Sequence, residues 1–227
     1  MIGALTALLV LIALGLAVAV VALWLRLRQS TQREALQALV ARRGWGLSLT
    51  GQRLGRPALL RIAPRAGHNW QVTVRGESVE GLRLKTPPQS TEFTAEEPQW
   101  ADGLLVITPI LPEADAAALA HLDSPEGQAL LARMLGEDMS GYAAVLRHFP
   151  GPEPLTILAS ADPAHRVDRG DLSKVVAAWA AQAPQAEAMA IMILSRDGFR
   201  LRLRHGIARA DRMEAYIDLA LDLIRIL

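Results

Sequence analysis

The chain has 227 residues, 51% hydrophobic and 21% charged, with 24 basic against 23 acidic side chains, a balance that excludes a disordered tail or a collagen-like repeat. It contains no cysteine, which removes disulfide scaffolds, thiolate zinc sites, cysteine nucleophiles and cysteine-held iron–sulfur clusters. Nothing in the composition names a reaction.

Residues 1–25, MIGALTALLVLIALGLAVAVVALWL, carry no charged side chain. As a helix rising about 1.5 Å per residue they reach roughly 37 Å, enough to cross a hydrocarbon core of about 30 Å with some tilt. They read as a transmembrane helix. A signal peptide cut near Ala17 or Ala19 is the rival, but it needs basic residues ahead of a shorter apolar core, and the first basic residue is Arg26. Because Arg26, Arg28 and Arg33 follow the segment, the positive-inside rule places the N-terminus outside and the rest in the cytoplasm, tethered to the inner membrane with Trp24 at the headgroups. Gly3/Ala7, Ala13/Ala17 and Gly15/Ala19 are small residues four apart, a spacing that lets two spans pack into a homo-oligomer, although an Ala- and Gly-rich segment also produces it by chance.

Residues 26–44 are expected to form a basic juxtamembrane helix: Ser30-Thr31 followed by Glu34 resembles a capping box, and Ala35, Leu36, Leu39 and Val40 recur at helical spacing before Gly44. Charge is strongly segregated. Arg26 to Lys85 hold twelve basic and three acidic residues, Thr86 to Ser195 hold five and fifteen, and Arg196 to Leu227 hold seven and five. A basic stretch beside anionic lipid gains about 1 kcal/mol per Arg or Lys at the surface, so Arg26, Arg28, Arg33, Arg42 and Arg43 are the expected lipid or partner contacts. Pairing with acidic segments, or plain solvation, is the alternative. No nucleic-acid partner is expected, since the basic segment has no helix-turn-helix, RNP-like or zinc-finger pattern.

Residues 45–227 read as one soluble α+β domain with a mostly antiparallel sheet packed against helices. Trp45 to Leu49, Ala58 to Ala63 and Trp70 to Arg75 alternate as a strand meander, and Gly81 to Lys85, Gly103 to Ile110 and Leu155 to Ser160 are further strands, with Pro87-Pro88 and Glu96 to Trp100 in loops. Pro112 to His121, a helix opened by Ser124-Pro125-Glu126 and closed by Gly136, Asp138 to His148, and Asp171 to Gln182 are expected helices. Ala188 to Leu194 and Phe199 to His205 flank Asp197-Gly198 as a hairpin. Met213, Tyr216, Ile217, Ala220, Ile224 and Leu227 then form the apolar stripe of a last helix, opposite Asp211, Glu214, Asp218, Asp222 and Arg225.

The common catalytic and nucleotide-binding signatures are absent. Asp162, His165, Asp168 and Asp171 could gather around a divalent ion, yet their spacing matches no ligand template and turn or capping roles explain them more simply. His121, Asp123 and Ser124 invite the same two readings, a hydrolytic fragment or a helix cap. No cofactor is expected. Arg200, Arg202 and Arg204 alternate with Phe199, Leu201, Leu203 and His205, which places three guanidinia on one face of a strand, where they need something acidic opposite. They join the arginines above as candidate lipid or partner contacts. The whole reads as a single-span bacterial membrane protein whose cytoplasmic domain is a non-catalytic interaction or accessory module with a protein partner, the competing readings being a membrane-tethered enzyme or an anionic-lipid sensor.

Overall fold

The computed structural model describes residues 14–16, 18–21, 31–50, 59–67, 69–75, 90–101, 103–109, 121–122, 124–135, 145–149, 151, 155–165, 167–184 and 189–227. Most of the expected span, the expected strand Gly81 to Lys85 and most of the expected helix Pro112 to His121 lie outside them. Within the apolar segment, residues 14–16 and 18–21 are helical, and Leu14, Leu16, Val18, Val20 and Val21 are each more than half exposed. Among the described residues no helix is long and apolar enough to cross a membrane.

The body is α+β, with one antiparallel sheet packed against helices. In chain order come a helix over residues 31–42 (α1), β1 Trp45–Thr50, β2 Leu59–Pro64, β3 Trp70–Arg75, β4 Ser90–Ala95, β5 Leu105–Pro109, α2 Pro125–Leu135, β6 Arg147–Phe149, β7 Leu155–Ala159, a 3₁₀ turn Pro163–His165, α3 Arg169–Gln182, β8 Ile191–Ser195, β9 Gly198–Leu203 and α4 Ala210–Ile226. The nine described strands form a single sheet in the order β1-β2-β3-β4-β9-β8-β5-β7-β6, and every neighbouring pair is antiparallel.

One face carries the main core. Trp45, Ile62, Val72, Phe93, Leu201, Met192, Ile107 and Ile157 point to it, and it is covered by Leu36, Leu39 and Val40 of α1, Leu172 and Trp179 of α3, and Met213, Tyr216, Ile217, Ala220 and Leu223 of α4. The spacing within α4 is the three- and four-residue recurrence that keeps one helical stripe on the sheet. A run of rings crosses this face. Trp45 meets Trp70 edge-on at 5.4 Å, Trp70 stacks on Phe93 at 5.3 Å and Phe93 meets Phe199 at 6.1 Å, arrangements that add to simple area burial.

Tyr216 rises from α4 into the seam between β4 and β9. Its hydroxyl donates to the Leu201 carbonyl and accepts from the Phe93 amide at 3.2 Å, so the phenol is fully buried yet satisfied. Thr91, also fully buried, donates to the His205 carbonyl and accepts from the Ile207 amide, both at 2.9 Å. It thereby ties the segment leaving β9 back onto the sheet.

Three expectations need correction. β4 was not foreseen, because its only large apolar side chain is Phe93. Residues 147 and 148, expected at the end of a helix, are in the short strand β6, whose His148 pairs with Leu158. In the C-terminal hairpin Ser195 faces Gly198, so Arg196 and Asp197 form the loop rather than Asp197 and Gly198. Gly198 has φ +106, and a Cβ there would lie 2.1 Å from the Ala95 carbonyl oxygen; only glycine meets both demands.

Candidate functional site

The second face of the sheet is treated differently in its two halves. Over β5, β7 and β8, the outward side chains Leu104, Val106, Leu158, Ile191 and Ile193 form a second apolar core with Leu130, Leu131, Met134 and Leu135 of α2. The helix starts where Ser124 Oγ accepts the Gly127 amide at 3.0 Å, an N-cap bond. Over β2, β3, β4 and β9 the outward residues are polar: Arg61, Thr73, Glu92 and Arg202 lie in one cross-strand row, and Gln71, Thr94 and Arg200 in the next. Among the described residues no helix covers this half.

Arg202 stands at the boundary, opposite Ile191 on β8 and Glu92 on β4. One of its terminal nitrogens donates to the carbonyl of Leu135, the last residue of α2, and the other to Glu92 Oε1 at 2.9 Å. A cation is favourable there because the last carbonyls of a helix carry its partial negative charge. Only 19% of the Arg202 side chain and 16% of that of Glu92 are exposed. The acidic group opposite Arg202 is thus Glu92 of the neighbouring strand.

Beyond Arg202 the open half forms a groove of 520 Å³ whose wall includes Arg61, Arg65, Gln71, Thr94 and Arg200. Arg65 is oriented by its Nε, which donates to the Trp45 carbonyl at 3.0 Å. Glu96 and Asp197 also line it. Glu96 accepts the Asn69 side-chain amide at 2.7 Å, and Asp197 lies 3.9 Å from Arg196. By contrast, the apolar void bounded by Trp179, Met192, Leu219 and Leu223 between the helices and the sheet is only 10 Å³, too small for an organic ligand.

The expected contact residues are dispersed. Arg26 and Arg28 lie outside the described residues, and Arg33 is exposed on α1. Arg42 and Arg43 clamp α1 onto α4: Arg42 Nη2 reaches Glu214 Oε2 at 2.6 Å, Arg43 Nε reaches Glu214 Oε1 at 2.7 Å, and Arg43 Nη2 reaches Asp218 Oδ2 at 2.5 Å. Burial pushes the Glu214 carboxyl up, and the Arg43 and Arg42 guanidinia more than reverse this, leaving it below its ordinary value. The hydrogen bond to Glu214 chiefly holds the Arg43 guanidinium above its own. Arg200 lines the groove and Arg204 is exposed beyond the end of β9.

The acidic loop turns inward on its own backbone. Asp162 Oδ1 accepts the Ala164 amide at 2.9 Å, and Asp168 caps α3 by accepting the Gly170 and Asp171 amides at 2.8 and 3.1 Å. Asp171 pairs with Lys174 at 2.8 Å, while His165 is exposed. Among the described residues no three metal-ligating side chains gather. His121 is exposed in a turn, Asp123 lies outside the described residues, and Ser124 serves as the cap. The groove residues Arg61, Arg65, Gln71 and Thr94 were not singled out from the sequence. Their places on β2 and β3 mark Arg61 and Gln71 as outward-facing, but only strand order brings them beside Thr94 and Arg200.

No family model and no curated protein matches the sequence. A solved structure with a similar course of chain is the crystal structure of the mycobacterial trehalose monomycolate transport factor A, TtfA, at a TM-score of 0.45 and 7% identity, covering 86% of this chain and 94% of that one. A likeness at that distance assigns no activity, which must come from the residues themselves.

Proposed function

We propose that this chain is a membrane-tethered, non-catalytic binding module, held at the cytoplasmic face of the inner membrane by residues 1–25 and meeting a partner through the open half of its sheet. The observation that carries the reading is the unequal covering of one sheet face: α2 seals it over β5, β7 and β8, while the polar rows on β2, β3, β4 and β9 are left concave and without a helix among the described residues. A concave surface with convergent polar groups is where a ligand or partner binds by default. The tether is supported by the uncharged 25-residue stretch and by the exposed apolar side chains of its helical residues. The orientation is supported by the arginines that follow.

The test uses the full chain in its native membrane with a photo-crosslinking amino acid at Gln71 in the groove or at exposed Lys174 on α3. The module reading expects a discrete adduct from position 71 and none from position 174, in a protein that resists carbonate extraction. Equal labelling from both positions, or release by carbonate, would overturn it.

A further inference from the structure

We infer that the groove binds a phosphate-bearing headgroup, with Arg61, Arg65 and Arg200 as its charged ligands and Gln71 and Thr94 as neutral ones. This deepens the binding-module reading and rests on it. Three guanidinia from separate places in the chain, the centre of β2, the turn after β2 and the centre of β9, line one concavity. Among the described residues no carboxylate pairs with Arg61 or Arg65. Arg65 spends one N–H on the Trp45 carbonyl, which fixes the plane of the group and leaves its terminal nitrogens to donate elsewhere. Thr94 and Gln71 are direct cross-strand partners, and Thr94 also faces Arg200, so a hydroxyl and a carboxamide lie among the cations.

Against two carboxylates on the wall, the three guanidinia leave it net cationic. The carboxylates belong to the strand-end segments, Glu96 just after β4 and Asp197 in the hairpin loop. Glu96 is held by Asn69. Donors converging from several elements suit a tetrahedral group with several terminal oxygens, whereas a carboxylate is satisfied by a single guanidinium fork. The volume of 520 Å³ falls in the range of small-molecule sites, roughly 300–1,000 Å³, and exceeds what a bare phosphate fills. Nucleic acid fits poorly. Strand binding relies on rings offered for base stacking, and Trp70 and Phe199, the aromatic residues on the groove wall, are 7% and 0% exposed and engaged with other rings of the core.

The headgroup could belong to a bilayer lipid or to a soluble phosphate ester, and the experiment separates the two. The full chain is purified in maltoside micelles, which contain no phosphate, and titrated calorimetrically with glycerol 3-phosphate and with inorganic phosphate. The titration is repeated in mixed micelles containing phosphatidic acid. Saturable binding of glycerol phosphate is expected, weakened about tenfold or more by Arg61→Ala combined with Arg200→Ala and unchanged by Arg225→Ala, which removes an arginine from α4. If phosphatidic acid abolishes the soluble titration the ligand is a lipid headgroup, and if it leaves the titration intact the ligand is a soluble ester. An unchanged thermal midpoint in the double variant shows that the loss is local. Absence of saturable binding at millimolar ligand in both micelles, or equal weakening by Arg225→Ala, would overturn the assignment. A site-specific crosslink from position 71 that persists alongside such a result would leave the module reading standing.

Discussion

Removal of the Arg202 guanidinium tests whether this arginine of β9 bridges β4 and the end of α2. In Arg202→Met, the Glu92 carboxyl loses its guanidinium at a site where only 16% of its side chain is exposed, and the Leu135 carbonyl at the end of α2 loses a donor. Breaking a fully buried pair from one side costs about 3–5 kcal/mol, which residual exposure of both partners reduces. The lost bond to the helix end adds about 1 kcal/mol. The expected destabilisation is therefore roughly 2–3 kcal/mol, read as a shift in urea midpoint at constant slope. Glu92→Gln together with Arg202→Met leaves no stranded carboxylate and should cost about 1 kcal/mol less than the single Arg202 variant. Arg204→Met, at an exposed position, should move stability by less than about 0.5 kcal/mol. A loss below 0.5 kcal/mol for Arg202→Met, or a double variant that is simply the sum of the two singles, would refute the bridging role.

Other perturbations probe the remaining joints. Gly198→Ala sets a Cβ against the Ala95 carbonyl at φ +106 and should cost about 2 kcal/mol or more in a thermal or urea melt. Glu214→Gln weakens the clamp between α1 and α4; with the Arg43 side chain 37% exposed, screening limits the cost to about 0.5–1 kcal/mol. Because the folded Glu214 pKa is depressed, its contribution is present above the ordinary value of 4.5 and fades as pH falls through the lower folded value, so the variant should flatten the acid limb of the stability–pH curve. Tyr216→Phe keeps the ring and removes a hydroxyl that serves both the Phe93 amide and the Leu201 carbonyl, a loss of about 1–3 kcal/mol. Burial raises the Tyr216 pKa well above 10.0, so wild-type stability should hold below pH 10 and decline above it, a decline that urea melts across the alkaline range should find reduced in the phenylalanine variant.

What the sequence made legible was local. The C-terminal hairpin needs only an apolar run and an alternating run on either side of Asp197-Gly198, and α4 needs only its own stripe, so both are read from adjacent residues. β4 escaped because Thr91 and Ala95 occupy buried positions where a pattern search expects bulk; Thr91 is accepted there only because the chain after β9 returns to satisfy its hydroxyl. The partners of Arg42 and Arg43 were equally hidden. Glu214 and Asp218 lie more than 170 positions along the chain, and an ion pair at that separation exists only once α1 and α4 share a face of the sheet. The groove fails to announce itself for the same reason, since Thr94 and Arg200 become neighbours through the β4–β9 pairing.

The open half of the sheet is nonetheless written into the strands. β8, Ile191–Ser195, is buried at every position and β5 at all but its last, the continuous pattern of strands covered on both faces. β3 alternates until its last residues, and β4 alternates throughout, the pattern of strands covered on one. β9 follows suit beyond the hairpin, burying Phe199, Leu201 and Leu203 while Arg200 and Arg202 are less completely buried. A third layer is therefore called for over β5, β7 and β8, and α2 supplies it; over β2 to β4 an apolar helix would gain little by burying Arg61, Gln71, Thr73 and Thr94, whose polar groups would then need partners. The polar rows, kept at alternate positions across four strands, make a concave and partly cationic surface that the packing of the described residues does not require.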